Sequence, residues 1–387
     1  MMRSFFYFIG FSFLVSPLHA QTYFKKAIDD PGLTGEKIYL EAITPADNNR
    51  YLIAGYVQTA ASEQKGLVMA VDDEANIIWQ KQFESDTGFS LTTAALLDDK
   101  LYLGGSMNDD GIVIICDTTG NLLQSLKITS TSDQYTSING MVAINGKMYL
   151  NCYGAVDGFH LMRIDGNGVA ASLVKYTYEP NFNVKGMVAG EDNMYMYGSL
   201  STSYGEVYGV VAKVDTNGFI KWSKQFHMDN TYELYIHKVV VNADNTLQLF
   251  CSVPDNFTGE PNRLLQIRVN ANGSEISHQA WEKTSDYFFE VTGAVADGSG
   301  YTVCSSASYY DTDTLILQHF NQSMVAEWTM GYGSTDESYT RAIAALPGNA
   351  TLLTHYRLST GNGVLHKVGS DGASCDSAPF ALLDDDE

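Results

Sequence analysis

Hydrophobic and polar positions along this chain follow one pattern that returns about every 50 residues. Its fullest copy is Val210–Phe226, VVAKVDTNGFIKWSKQF. Val210–Val214 is an almost unbroken apolar run, which predicts a strand covered on both faces. Asp215-Thr216-Asn217-Gly218 interrupts it with a strong hairpin signal, because Asn-Gly tolerates the positive φ angles of a tight two-residue turn. Phe219–Phe226 then alternates, with Ile220, Trp222 and Phe226 on one side and Lys221, Ser223 and Gln225 on the other. That alternation predicts a half-exposed strand at a sheet edge.

With Asp215 as anchor, the equivalent positions are Asp72, Asp117, Asp165, Asn270, Asn321 and Gly369, at successive intervals of 45, 48, 50, 55, 51 and 48 residues. Trp79, Trp222 and Trp328 each stand seven residues after an anchor, so the register extends beyond the turn. Each turn is preceded by an apolar run holding glycine or another small residue, such as YLIAGYV, LYLGGSM and MYMYGSL. Before that run comes a further strand pattern, such as YLEAI, LTTAALL and VKGMVAG. Four strands per copy and seven copies predict an all-β fold, a seven-bladed β-propeller of four-stranded antiparallel blades. The ends favour a closed ring over a solenoid. TYFKKAI (Thr22–Ile28) matches the outer strand but has no inner strand of its own, while the last copy lacks an outer strand, so the N-terminal strand is expected to close the ring.

The first twenty residues stand outside the repeats. A short segment carrying Arg3, an apolar core from Phe5 to Val15 and Leu18-His19-Ala20 read as a secretory signal, with the mature chain starting near Gln21. No later segment is apolar enough to span a bilayer, so no membrane insertion is expected after cleavage. The expected organisation is a signal over 1–20, a propeller over 21–375 and an exposed acidic tail over 376–387. A net charge of −22 excludes phosphate-backbone binding, and with it nucleic-acid partners, and disfavours anionic membranes. The cysteines Cys116, Cys152, Cys251, Cys304 and Cys375 are odd in number and lack CxxC spacing. They read as buried small hydrophobes rather than disulfides or metal ligands.

The pattern K-x-D-x-x-G-x-I-x-W-x-K-x-F resembles the repeats of exported bacterial β-propellers related to the quinoprotein-like (PQQ-like) propellers, and the likeness covers most of the mature chain. It implies the propeller architecture and little about activity, since scaffolds, binding proteins and enzymes share that superfamily. Quinone-dependent members hold their cofactor with an adjacent cysteine pair and a calcium site. Neither is recognisable here, so no cofactor is expected. Asp165-Gly166-Asn167-Gly168 and Asp311-Thr312-Asp313 lack the closing Glu of a calcium loop, and the first coincides with a repeat turn. The histidines His160, His227, His237, His278, His319, His355 and His366 share no metal-ligand spacing, and no nucleophile motif is present.

One feature rises above the repeat. The loops before the innermost strands carry an aromatic at a matching place, namely Phe89, Tyr135, Phe182, Tyr232, Phe288 and Tyr339, each 17 or 18 residues past its anchor. Glu36 takes that place in the first copy. On a closed ring these positions converge on one mouth of the central channel, either as an open platform for sugars, peptides or cations or as wedges between blades. The first function expected is a non-enzymatic exported scaffold that binds a protein or glycan through loops on one face, within an envelope or surface assembly. The alternatives are a polysaccharide-acting enzyme drawing on carboxylates such as Glu36, Asp86, Glu233, Glu290 and Asp336, or the propeller part of a longer surface protein.

Overall fold

The computed structural model describes residues 24–28, 37–46, 49–84, 88–129, 136–154, 158–176, 182–228, 233–254, 263–282, 288–309, 312–333, 338–357, 361–374, 377–379 and 383–384. Strand β1 (Phe24–Ala27) is followed by blade 1, which comprises β2 (Lys37–Pro45), β3 (Tyr51–Gln58), β4 (Gln64–Val71) and β5 (Ile77–Phe83). Blade 2 is β6 (Phe89–Leu97), β7 (Lys100–Met107), β8 (Asp110–Asp117) and β9 (Leu122–Ile128); blade 3 is β10 (Thr136–Ile144), β11 (Lys147–Gly154), β12 (Gly158–Ile164) and β13 (Ala170–Tyr176). Blade 4 is β14 (Phe182–Ala189), β15 (Asn193–Ser201), β16 (Val207–Asp215) and β17 (Ile220–Phe226); blade 5 is β18 (Tyr235–Val241), β19 (Leu247–Val253), β20 (Arg263–Val269) and β21 (Glu275–Glu282). Blade 6 is β22 (Phe288–Ala296), β23 (Gly300–Tyr309), β24 (Thr312–Asn321) and β25 (Ala326–Gly333). Blade 7 is β26 (Ser338–Ala345), β27 (Thr351–Arg357) and β28 (Gly363–Val368), completed by β1.

The ring closes as the ends suggested. Strand β1 lies antiparallel to β28, and the seam between blades 7 and 1 is crossed by polar bonds. Lys26 Nζ donates to Ala75 O at 3.0 Å, Lys367 Nζ to Asp73 O at 2.9 Å and Thr354 Oγ1 to Leu40 O at 3.0 Å. The core lies between blades. Each of seven apolar clusters joins two neighbours, from Leu52, Val68, Phe89 and Leu103 between blades 1 and 2 round to Ile28, Ile53, Leu352 and Leu365 between blades 7 and 1. Burial of this interdigitated surface is what joins seven separate sheets into one body.

The repeated turn differs from the two-residue form that Asn-Gly suggests. Asp215 N–H bonds to Phe219 O at 3.0 Å and Gly218 N–H to Asp215 O at 2.9 Å, so three residues form the loop and Gly218 alone takes a positive φ, +89°. The anchor side chain explains the repeat. Asp215 Oδ1 accepts from the backbone N–H groups of Asn217 and Phe219, both at 2.9 Å. The same pair of bonds recurs at Asp72, Asp117, Asp165, Asn270 and Asn321. One side-chain oxygen serves the turn, so Asn substitutes for Asp without loss of geometry. We therefore expect Asp215→Ala to lower stability by about 1 kcal/mol and Asp215→Asn by clearly less, read from urea unfolding midpoints; equal losses would show that charge rather than turn geometry matters.

The tryptophans join blades rather than cover an edge. Trp222 Nε1 donates to Ala271 O of the next blade at 3.1 Å, and its ring lies where a Cβ on Gly273 would stand. Trp328 treats Ser370 O and Gly372 of blade 7 alike, and Trp79 covers Gly120. In blade 2, where tryptophan is missing, Gln124 Nε2 reaches Gly168 O at 3.1 Å; four residues beyond the tryptophan position, the Tyr176 and Tyr332 hydroxyls donate to Gly218 O and Gly372 O of the next blade. Phe226 is buried as its alternation predicts, but Ile220 is 40% exposed.

The C-terminal segment read as an exposed tail pairs in two places. β29 (Ser377–Pro379) adds a fifth strand to blade 6 along Met330–Tyr332, and β30 (Leu383–Asp384) a fifth strand to blade 5 at Trp281–Glu282. Both cover outer edges that would otherwise present unpaired backbone. Cys116, Cys152, Cys251 and Cys304 are free and buried, and burial pushes the thiols of Cys116 and Cys304 up to about 11 and that of Cys152 to about 12. Cys375 lies outside the described residues.

Candidate functional site

Every innermost strand breaks register with its neighbour at one place. The bulges fall between Leu40 and Ala42, Leu91 and Thr93, Ile138 and Gly140, Val184 and Gly186, Ile236 and Lys238, Val291 and Gly293, and Thr340 and Ala342. Glu41, Thr92, Asn139, Lys185, His237, Thr292 and Arg341 are thereby released from the ladder, one polar residue per blade around the channel. The facing residue in the second strand is small in six blades: Gly55, Gly105, Cys152, Gly198, Cys251 and Ser305, with His355 in the seventh. At Gly55, Gly105 and Gly198 a Cβ would stand 1.9 Å from a backbone oxygen of the bulged strand. The small residues of the YLIAGYV-type runs therefore make room for the bulges.

Three of the released residues meet in an open cleft of about 530 Å³ across blades 7, 1 and 2. Blade 7 contributes Arg341, and blade 1 contributes Glu41, Tyr56 and Gln64. Blade 2 supplies Thr92 with Ser90 and Ser106 on the wall, and Gly88, Asn108 and Asp109 at the rim. Asn108 N–H bonds to Gly88 O at 3.1 Å, which ties the β7–β8 connection to the segment before β6. The cleft thus opens on the face that carries the loops before the innermost strands. Arg341 Nε stands 3.8 Å from Glu41 Oε1, with the carboxylate 14% and the guanidinium 45% exposed. Burial raises the Glu41 carboxyl above its ordinary value and outweighs Arg341. Tyr39 is sandwiched between Tyr56 and Tyr356 at 4.5 and 4.3 Å. Burial and the neighbouring Tyr356 push Tyr39 up to about 12; burial and Glu41 push Tyr56 to about 12. Both phenols therefore keep their protons, and with them their donor capacity, at neutral pH.

A second cluster faces the channel from blades 4, 5 and 6. Glu290 Oε1 lies 4.0 Å from Lys185 Nζ and 4.0 Å from His237 Nδ1. A contact from blade 4 to blade 6 that skips blade 5 requires both side chains to reach toward the axis. His237 Nε2 bonds the Ser252 hydroxyl at 2.6 Å. Burial, with the Lys185 charge adding to it, lowers His237 to about 3. An unfolded histidine takes its proton near 6.5, whereas the folded one refuses it until about 3, so its stabilising share is complete above 6.5 and declines as pH falls toward 3. We expect stability to decrease between pH 6.5 and 4 with a slope of up to about 1.4 kcal/mol per pH unit from this residue. Urea midpoints of the His237→Gln variant should be less pH-dependent over that range; an unchanged pH dependence would contradict the assignment.

The aromatics picked from the sequence divide. Phe89 is 3% and Phe182 6% exposed. Phe89 lies against Gly66 of blade 1 and meets Phe83 edge-on, and Phe182 meets Phe159 of blade 3 edge-on. At these two positions the ring is a wedge between blades, which accounts for the constant spacing from the anchor. Of Phe288 and Tyr339 only the backbone is described, at the starts of β22 and β26. Glu36, Tyr135, Tyr232, Asp86 and Asp336 lie outside the described residues. Glu233 accepts from the Tyr235 hydroxyl at 2.8 Å. Sequence reading missed Glu41, Thr92 and Arg341; the small residues Gly55 and Gly105 were the available signal for the first two, and His355 opposite the third gave none.

Comparison with solved structures finds the same architecture in Drosophila Plexin A in complex with Semaphorin 1b, with a TM-score of 0.50 and 8% identity over 89% of this chain and 86% of that one. Drosophila Semaphorin 1a, extracellular domains 1-2, superimposes with a TM-score of 0.54 and 7% identity over 87% of each chain. No family model and no curated protein matches the chain. At these identities the likeness is one of fold.

Proposed function

We propose that this seven-bladed propeller is an exported, non-enzymatic binding scaffold that captures a protein or glycan partner on the face bearing the loops before its innermost strands. The observation that carries this reading is the cleft across blades 7, 1 and 2. Its volume suits a small ligand or the tip of a larger one, and its polar groups converge from three rigid blades. By their place in the repeat, Glu36, Tyr135, Tyr232, Phe288 and Tyr339 are assigned to this same face as part of the proposal. Export, a surface or envelope setting and kinship with quinoprotein-like propellers belong to the proposal too, on the strength of the N-terminal segment and the repeat motif.

Immobilised protein should retain a partner from surface and extracellular fractions, or bind a glycan array. Thr92→Trp, which fills the exposed wall of the cleft and gives up the Thr92 hydroxyl bond to Ile138 O of blade 3 at 2.9 Å, should remove that binding while lowering stability by no more than about 1 kcal/mol. Binding that survives Thr92→Trp, or is lost on changing exposed residues of the opposite face such as Phe219, would reject the reading.

A further inference from the structure

The lining of the cleft narrows what it can hold, provided that this face binds a partner at all. Among the described residues no aliphatic side chain contributes to it, and Tyr56 is the one aromatic. A peptide anchor is held by an apolar pocket that desolvates it; this cleft offers none. It presents instead paired oxygens and fork-shaped donors: the Glu41 and Asp109 carboxyls, the Asn108 amide and the Arg341 guanidinium, with an acceptor from the Thr92 hydroxyl, whose own hydrogen goes to Ile138 O at 2.9 Å. Such groups match the vicinal hydroxyls of a sugar ring, each of which donates and accepts. Tyr56, backed by the stacked ring of Tyr39, offers a rigid aromatic surface for the ring's C–H side. Two carboxyls stand against one guanidinium, within a chain of net charge −22, so an added negative charge is disfavoured.

We propose that the cleft binds an uncharged pyranose residue of a glycan, seated against Tyr56 and hydrogen-bonded by Glu41, Asn108, Asp109 and Arg341. The hydroxyl-rich wall orients the ring, and the guanidinium–carboxyl pair supplies donor and acceptor to adjacent oxygens.

Calorimetric titration of the full chain with neutral, uronic-acid and amino-sugar oligosaccharides tests this. Neutral oligosaccharides are expected to bind, about tenfold or more weakly to Arg341→Ala and Asn108→Ala, with unchanged binding to Asp215→Asn on the opposite face. Unfolding midpoints within error of wild type would show that the variants remain folded. Preference for charged sugars, or neutral-sugar binding indifferent to both cleft variants, overturns the proposal. A protein partner lost in Thr92→Trp with no glycan bound overturns it while leaving the binding face intact. Absence of any partner, protein or glycan, overturns both.

Discussion

Removing Phe24–Ile28 is expected to abolish cooperative folding of the ring. These residues supply the outer strand of blade 7, paired from Phe24 with Lys367 to Ala27 with Val364. Ile28, 2% exposed, enters the core shared with blade 1, and its N–H bonds to Gly363 O at 2.8 Å. Without them β28, buried along nearly its whole length, becomes a bare apolar edge. Losing the Ile28 side chain alone costs about 2–5 kcal/mol, and the ladder and the Lys26 bond to Ala75 O go with it. Total stability is only about 5–15 kcal/mol, so little margin remains. The deleted chain should show no sharp thermal transition and should self-associate. A deleted chain that unfolds at the midpoint of the full chain would refute closure by this strand.

Gly105→Ala is expected to cost about 3 kcal/mol, at the upper end of overpacking effects, and to weaken ligand binding at the same time. The new Cβ would stand 1.9 Å from Ser90 O and 2.9 Å from Leu91 Cα, both backbone atoms of the bulged strand that cannot rotate aside. Relief requires either flattening the bulge, which returns Thr92 to the ladder, or separating β6 from β7. Either change withdraws Thr92 from the cleft. Gly166→Ala is the control. Nothing lies within 4 Å of its added Cβ, and a surface change of that kind stays within about 0.5 kcal/mol. Similar urea midpoints for the two variants would contradict the tight fit claimed for the bulges.

The architecture was legible because its signals are local. Anchor residues such as Asp215 and Asn270 hold their turns with their own side chains, and apolar runs such as Leu247–Val253 mark strands buried on both faces. Ring closure was legible from a surplus strand at one end and a missing one at the other. The three-residue turn was not, because Asn217-Gly218 fits either form and the choice depends on the Asp215 side chain bonding two residues beyond it. Nor was the pairing of Ser377–Pro379 and Leu383–Asp384. Such short segments have no strand pattern of their own and are ordered by the edges they cover. The site was least legible. Glu41, Thr92 and Arg341 are ordinary polar residues in ordinary strands, and only a backbone irregularity brings them to the cleft. Phe89 stood out through its constant spacing, yet packing between blades imposes that spacing.

Hydrogen exchange of the full chain, alone and saturated with its captured partner, tests most directly the claim that function resides in this cleft. Added protection is expected over Gly88–Thr92 and Ser106–Asp110, which wall and rim the cleft on blade 2, with none at the turns around Asp117, Asp165 and Asp215 on the opposite face. Protection confined to those turns, or spread evenly round the ring, would contradict the claim.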